Sequence, residues 1–138
     1  MMKTVLAENH LTSIQSAKFK ESVSLAVLSI FCLALFALRV YLSGSLFFLF
    51  LAWNLFLAFV PWAISSVLIL SESIRKIKII ASMFLVMWVL FFPNAPYIMT
   101  DLFHLQYRHD MPIWFDLILI ISFAWTGLLY GFASMRDV

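Results

Sequence analysis

Four polar residues in the second half of the chain recur at helical spacing. Tyr97, Asp101, His104 and Arg108 are four, three and four residues apart, so they would share one face of a helix. On that face the Asp101 carboxylate could approach the His104 imidazole, favour its protonated form and fix its tautomer. Such a pair can relay protons, bind a cation or act as general acid and base. The alternative is an ion pair or a helix cap on a solvated face.

Two further polar residues lie where the surrounding sequence is strongly apolar. Asn54 lies inside a long hydrophobic segment, where its amide needs partners; it either joins two helices or contacts a ligand. Asp116 lies one turn into the last hydrophobic segment, either solvated at an interface or in contact with a proton, a cation or a substrate. Asp101 and His104 alone are too few for a metal site, so none is predicted unless Asp116 or His109 joins them.

The composition determines what kind of molecule must position these residues. Of the 138 residues, 64% are hydrophobic and only 12% are charged, against about 45–50% and about 25% in soluble domains. The 15 Phe, 5 Trp and 4 Tyr suit a bilayer with aromatic residues at its edges. The net charge of +2 is too small to favour a polyanionic partner. The chain is therefore an integral membrane protein, and a soluble domain, a disordered tail and a nucleic-acid binder are excluded.

Four segments are long and apolar enough to cross about 30 Å of hydrocarbon as helices. They extend over about residues 22–42, 45–70, 78–92 and 112–135. Each is expected to be helical, because backbone groups in lipid must find their hydrogen bonds within the segment. The predicted fold is an all-α bundle of four transmembrane helices, with one short amphipathic helix beside it.

The distribution of basic residues predicts the orientation of the bundle. Residues 1–21 form a polar tail, with an interfacial helix at about residues 11–19. Most basic residues fall on the side of this tail, which predicts a multi-pass cell-membrane protein with both termini in the cytoplasm. Those on the tail side are Lys3, Lys18, Lys20, Arg75, Lys76, Lys78 and Arg136, and those opposite are Arg39, which can snorkel from the end of the first span, and Arg108.

The segment 93–111 is then expected to face outward and to carry the polar stripe. Pro93 and Pro96 end the third span sharply, and Asn94 can cap a new helix that holds Pro96 in its first turn. An apolar stripe beside the polar one completes an amphipathic helix. This helix is expected to lie flat in the outer interface or to dip between the spans as a re-entrant segment.

Four residues are predicted to serve helix packing. Gly127 and Gly131 form a small-xxx-small pattern that lets another helix approach closely. The partner is a helix of the same chain, a second copy in a homo-oligomer or another membrane subunit. Trp125 lies mid-span with an N–H that needs an acceptor, and Pro61 removes one hydrogen bond from the second span and predicts a kink.

The sequence contains no cofactor motif. No His lies inside a predicted span, which argues against a haem held by two histidines. The Cys and His residues lack zinc-site spacing, and there is no P-loop, dinucleotide-binding glycine pattern or nucleophile elbow. The sequence therefore identifies no cofactor.

Three stretches of the sequence resemble a family of membrane proteins. They are residues 50–58 (FLAWNLFLA), 92–105 (FPNAPYIMTDLFHL) and 114–127 (WFDLILIISFAWTG). Over about Leu46–Phe132 the chain resembles the bacterial family catalogued as domain of unknown function 1361. The resemblance implies a polytopic bacterial inner-membrane protein and carries no established activity; members of that family usually continue into further spans. The positions that match are Asn54, Asn94, Pro96, Tyr97, Asp101, His104, Asp116 and Trp125.

The sequence is compatible with three functions. The one that we favour is binding or transport of a small polar solute or cation at an outward-facing site of Asn54, Asn94, Tyr97, Asp101, His104 and Asp116. The first alternative is an enzyme that acts on a lipid or lipid-linked substrate, with carboxylates and an imidazole as acid, base or metal ligands. The second alternative is a structural or assembly subunit that docks a partner through the glycine face. The favoured site requires the two carboxylates and Asn54 to lie within about 10 Å.

Overall fold

The protein, described from a computed structural model, is built of helices. The structure describes the backbone of residues 2–104 and 112–138, and the side chains among them except those of residues 2–11, 72, 75 and 104. No strand occurs in these ranges, so the all-α fold class is confirmed. The helices are α1 (Met2–Ser43), α2 (Leu49–Leu70), α3 (Glu72–Lys76), α4 (Lys78–Phe91), α5 (Asn94–Tyr97), a 3₁₀ helix (Ile98–His104) and α6 (Ile113–Asp137).

Four helical segments are long and apolar enough to cross a membrane. They are Thr12–Ser43, Leu49–Leu70, Lys78–Phe103 and Ile113–Asp137. The prediction of a multi-pass protein is confirmed, and the number of candidate spans is four, as predicted. α2 continues through Pro61 as one helix, although the proline ring removes a backbone donor.

The third span differs from its predicted bounds. α4 has 14 residues, about 21 Å at 1.5 Å per residue, which is too short for about 30 Å of hydrocarbon. α5 and the 3₁₀ helix continue the span, and both pack against α2 and α6. One face of the segment 94–104 is therefore buried in the bundle, through Ala95, Ile98 and Asp101, while Tyr97 and Phe103 are exposed. Residues 105–111 of the predicted outer loop, Arg108 and His109 among them, lie outside the described residues.

The predicted N-terminal tail is not a separate element. α1 is continuous over 42 residues, about 63 Å, because no glycine or proline interrupts it before position 44. Gly44 then adopts a φ of 65° and its N–H binds the carbonyl of Val40, which ends the helix. A short turn leads from there into α2, which runs antiparallel to α1.

The core lies where α1, α2 and α6 meet. Half of the most apolar stretch of α6 is buried inside the protein, against 6% for the third span. Leu119, Ile120 and Phe123 of α6 are fully buried. α4 lies at the edge of the bundle against α2, and its Trp88 reaches α6 by donating its indole N–H to Ser134 Oγ. Because lipid gives little hydrophobic drive between helices, close packing and polar bonds hold them together.

Candidate functional site

A buried ion pair joins the end of α1 to the start of α6. Arg39 Nε donates to Asp116 Oδ1 at 2.7 Å, and Nη2 lies 3.4 Å from Oδ2. Both side chains are 2% exposed. The guanidinium also lies over the ring of Phe48, at 5.5 Å from its centroid. This pair explains how Asp116 enters a span: its charge is compensated inside the protein.

A second cluster of charges joins α1 to the other end of α6. Lys18 Nζ donates to Asp137 and, at 2.8 Å, to Glu21, whose other oxygen pairs with Arg136. The cluster includes groups of α2, because Trp62 donates to Glu21 at 2.9 Å and Ser65 to Asp137 at 3.2 Å. Lys18 and Asp137 are nearly buried, with side chains 8% and 3% exposed. Two cations and two anions give the cluster no net charge.

The two ion pairs are spaced like the two edges of a bilayer. Lys18 and Arg39 are 21 residues apart on α1, and Asp116 and Asp137 are 21 residues apart on α6. That separation is about 31 Å along a helix, close to the thickness of the hydrocarbon core, about 30 Å. The antiparallel helices α1 and α6 are therefore held together at both edges. We call the two ends of the bundle the Lys18 end and the Arg39 end.

A carboxylate and an amide meet between these two ends. Asn54 Nδ2 of α2 donates to both carboxylate oxygens of Asp101, at 3.1 and 2.8 Å. Asp101 is 2% exposed. Asn54 lies 11 residues from Ser65 on α2, about 16 Å along the helix from the Lys18 cluster. Asp101 is two residues from the end of the third span at Phe103, so its carboxylate is buried within the bundle but nearer the Arg39 end than the Lys18 end.

The interrupted third span brings Asp101 to this depth. Pro93 and Pro96 lack the N–H that a continuous helix would use, and Asn94 Nδ2 donates instead to the carbonyl of Phe91 at 3.0 Å. Beyond the break the chain follows α6 closely. Ala95 lies against Gly131, and Ile98 lies against Gly127, where an added Cβ would be 2.9 and 2.7 Å from their side-chain carbons.

The structure gives the five predicted site residues whose side chains it describes different surroundings. Asn54 and Asp101 are brought together, whereas Asp116 is bonded to Arg39. Tyr97 is 59% exposed on the outside of the bundle. Asn94 donates to the last carbonyl of α4, that of Phe91, and its neighbour Ala95 lies against Gly131 in the part of α6 nearer the Lys18 end. The side chain of His104 lies outside the described residues, so its pairing with Asp101 stays a prediction.

Of the four residues predicted to serve helix packing, three are buried and one is exposed. Gly127 and Gly131 are buried against the third span of the same chain, so this face is already covered by internal contacts. Pro61 is buried in α2. Trp125 differs, since it is 60% exposed on the outer surface of the bundle. The inward face of α6 passes through positions 123, 127, 130 and 134, and the helical turn directs position 125 away from it.

Hydroxyl and thiol groups link α1 to α6 between the two ends. Ser29 Oγ and Tyr130 Oη are 2.9 Å apart, and Cys32 Sγ and Thr126 Oγ1 are 3.3 Å apart. Within the described residues, no group of three or more His, Cys, Asp or Glu side chains could hold a metal ion. The ion pairs at the two ends were not foreseen from the sequence. Their signal was the equal spacing of opposite charges along the first and last helices.

The comparisons with known proteins give one match. A family model described as "Protein of unknown function (DUF1361)" matches residues 53–138. The matched region holds Asn54, Asp101 and Asp116, while α1 with Lys18 and Arg39 lies before it. No curated protein and no solved structure matches the chain.

Proposed function

The chain belongs to the DUF1361 family, and from that premise we propose that it binds and transports a small monovalent cation, the proton included, at the Asp101 carboxylate. One observation carries the proposal: a carboxylate that is 2% exposed lies within the bundle, on the 3₁₀ helix that continues the third span beyond its break. Ionisable groups at this depth are costly and typically mark ion or proton pathways. Interrupted membrane helices commonly surround such sites, because their free backbone groups bind ions.

The chemistry of the pair favours a monovalent ion. The described residues offer no cluster of further acidic ligands beside this pair. Calcium takes six to eight oxygen ligands, and magnesium needs a near-octahedral set. Asn54 holds the carboxylate in one orientation by donating to both of its oxygens. His104, three residues further on, stays the sequence-based candidate for passing a proton to Asp101.

The lipid-directed enzyme is less well supported. That hypothesis needs Asp101 and Asp116 to act on one substrate as acid, base or metal ligands. Each carboxylate instead has its own partner from a different helix, Asn54 in one case and Arg39 in the other. Asp116 has both of its oxygens bonded to Arg39, which does not suit a residue that must contact a substrate.

We also propose that the Lys18 end faces the cytoplasm, with both termini on that side. Lys18, Lys20, Lys76, Lys78 and Arg136 are at that end, and short segments rich in Lys and Arg stay in the cytoplasm. Cysteine labelling tests the orientation in a Cys32→Ser background. Ser73→Cys should react with a membrane-impermeant maleimide only after cell lysis, and Ser45→Cys should react in intact cells. The reverse pattern would overturn the orientation.

The cation site is tested with two equally buried carboxylates. The full chain is purified in a neutral detergent, and its thermal unfolding is followed in choline chloride, NaCl, LiCl and KCl and across pH. We expect one cation, or the proton, to raise the Tm, since a ligand at 100 times its Kd stabilises by about 2.7 kcal/mol. Asp101→Asn should abolish that shift. Asp116→Asn, the matched control, should lower the Tm in every salt but keep the shift.

Transport is tested separately in proteoliposomes. The cation that stabilises the protein should move down an imposed gradient with the unaltered chain and not with Asp101→Asn. The cation site is wrong if the Asp101→Asn protein keeps the full stabilisation. Binding without flux would limit the function to cation binding.

A further inference from the structure

α4 carries a shallow groove on a face that no other described helix covers. The groove is open, has a volume of about 530 Å³ and runs between two neighbouring rows of side chains, in each of which successive residues are four positions apart. The structure describes every side chain of α4, and none of these residues is buried. The rows are Lys78, Ser82 and Val86 on one side and Ile79, Met83 and Met87 on the other.

The polar groups of this groove are confined to one end. Lys78 begins both α4 and the third candidate span, so its ammonium lies where the hydrocarbon meets the headgroups. It is exposed and forms no ion pair with a described residue. Ser82, one turn deeper, adds a hydroxyl, and beyond it the groove is apolar, with Val86 67% exposed. A cation and a hydroxyl above an apolar channel are complementary to a phosphate above an acyl chain.

We propose that this groove binds an anionic phospholipid, with its phosphate at Lys78 and Ser82 and an acyl chain along Met83 and Met87. The proposal is independent of the cation site at Asp101. The two methionines are flexible and polarisable, which suits an irregular chain. A second copy is the less favourable occupant, because a two-fold axis along the membrane normal would bring Lys78 against its own copy.

Lipid binding is measured on the full chain by native mass spectrometry from a neutral detergent. The probes are dioleoyl phosphatidylglycerol, dioleoyl phosphatidylcholine and inorganic phosphate. We expect phosphatidylglycerol to bind more tightly than phosphatidylcholine and to survive an excess of inorganic phosphate. Lys78→Gln should weaken phosphatidylglycerol binding about fivefold, the effect of one basic residue at a membrane surface. Lys78→Arg should keep the binding, and Lys20→Gln, a basic residue at the same end on α1, should leave it unchanged.

Two further variants separate the headgroup from the chain and from a second copy. Val86→Trp fills the groove and should weaken binding of the long-chain lipid while leaving the Tm in lipid-free detergent unchanged. In a Cys32→Ser background, Val86→Cys should not form a disulfide-linked dimer in membranes. Equal binding of both lipids, no loss in Lys78→Gln, displacement by inorganic phosphate or efficient dimer formation would each overturn the proposal.

Discussion

Substitution of Gly127 tests the contact between the broken third span and α6. A Cβ at this position would lie 2.7 Å from Ile98 Cγ2 and 3.3 Å from its Cδ1. Ile98 is fully buried, so its side chain can relieve the overlap only by displacing its neighbours or by a shift of the third span. Overpacking costs about 1–3 kcal/mol, while alanine gains about 1 kcal/mol over glycine in helix propensity. We expect Gly127→Ala to lower the free energy of unfolding by about 1 kcal/mol, the difference of these effects.

The same substitution should change sign when Ile98 is removed. Ile98→Ala deletes both carbons that the new Cβ would meet and leaves the Cβ of Ala58, at an ordinary 3.6 Å. In that background Gly127→Ala should be stabilising, by up to about 1 kcal/mol. The four proteins are compared by SDS titration in mixed micelles, with helicity followed by circular dichroism. The cycle should give a coupling free energy of about 2 kcal/mol between positions 98 and 127.

Gly131 provides the matched control. Its added Cβ would lie 2.9 Å from the Cβ of Ala95, a carbon that no rotamer change can move. Gly131→Ala should therefore destabilise, and Ala95→Gly in the same chain should restore most of the stability by moving the methyl group across the contact. If Gly127→Ala has the same effect with and without Ile98, the third span does not pack on α6 as described.

Three further predictions follow from the polar contacts. Arg39→Gln and Asp116→Asn should each lower the free energy of unfolding by about 3–5 kcal/mol, since each leaves a buried charge alone; the double variant should lose less than the sum, as a double-mutant cycle in SDS would show. Exchanging Lys18 and Asp137 should retain a folded chain by size-exclusion chromatography, whereas Lys18→Asp alone should not. Trp88→Phe should cost about 0.6–1.7 kcal/mol, measured by the same titration, because it deletes one hydrogen bond to α6.

The fold was largely predictable because apolar length is a strong signal in membrane proteins. The third span was the exception. Pro93 and Pro96 were interpreted as its end, since proline disfavours the helical backbone before it. A segment over residues 78–92 is too short to cross, so the chain continues through α5 and the 3₁₀ helix. The side chain of Asn94 stabilises this continuation, because its amide donates a hydrogen bond to the carbonyl of Phe91.

The candidate site was predictable by residue but not by arrangement. Asn54 was selected as a polar group in an apolar segment and Asp101 as a member of a polar helical stripe, yet their pairing depends on the depth of the 3₁₀ helix. Arg39 was expected to snorkel to the interface, whereas it is 2% exposed and bonded to Asp116. Spacing along one helix does not show which residue of another helix lies opposite. The sequence indicated the pairing only through one feature: the charged residues that pair are 21 residues apart on both α1 and α6.

Carbodiimide labelling tests the central claim most directly, because it uses the unaltered chain. Dicyclohexylcarbodiimide is apolar and adds to protonated carboxyl groups in apolar surroundings, and peptide mass spectrometry identifies the modified residue. We predict that Asp101 is labelled, that the stabilising cation or a rise in pH protects it, and that Asp116, whose two oxygens are bonded to Arg39, is not labelled. An unreactive Asp101, or labelling at Asp101 that neither cations nor pH changes, would contradict a cation site at this carboxylate.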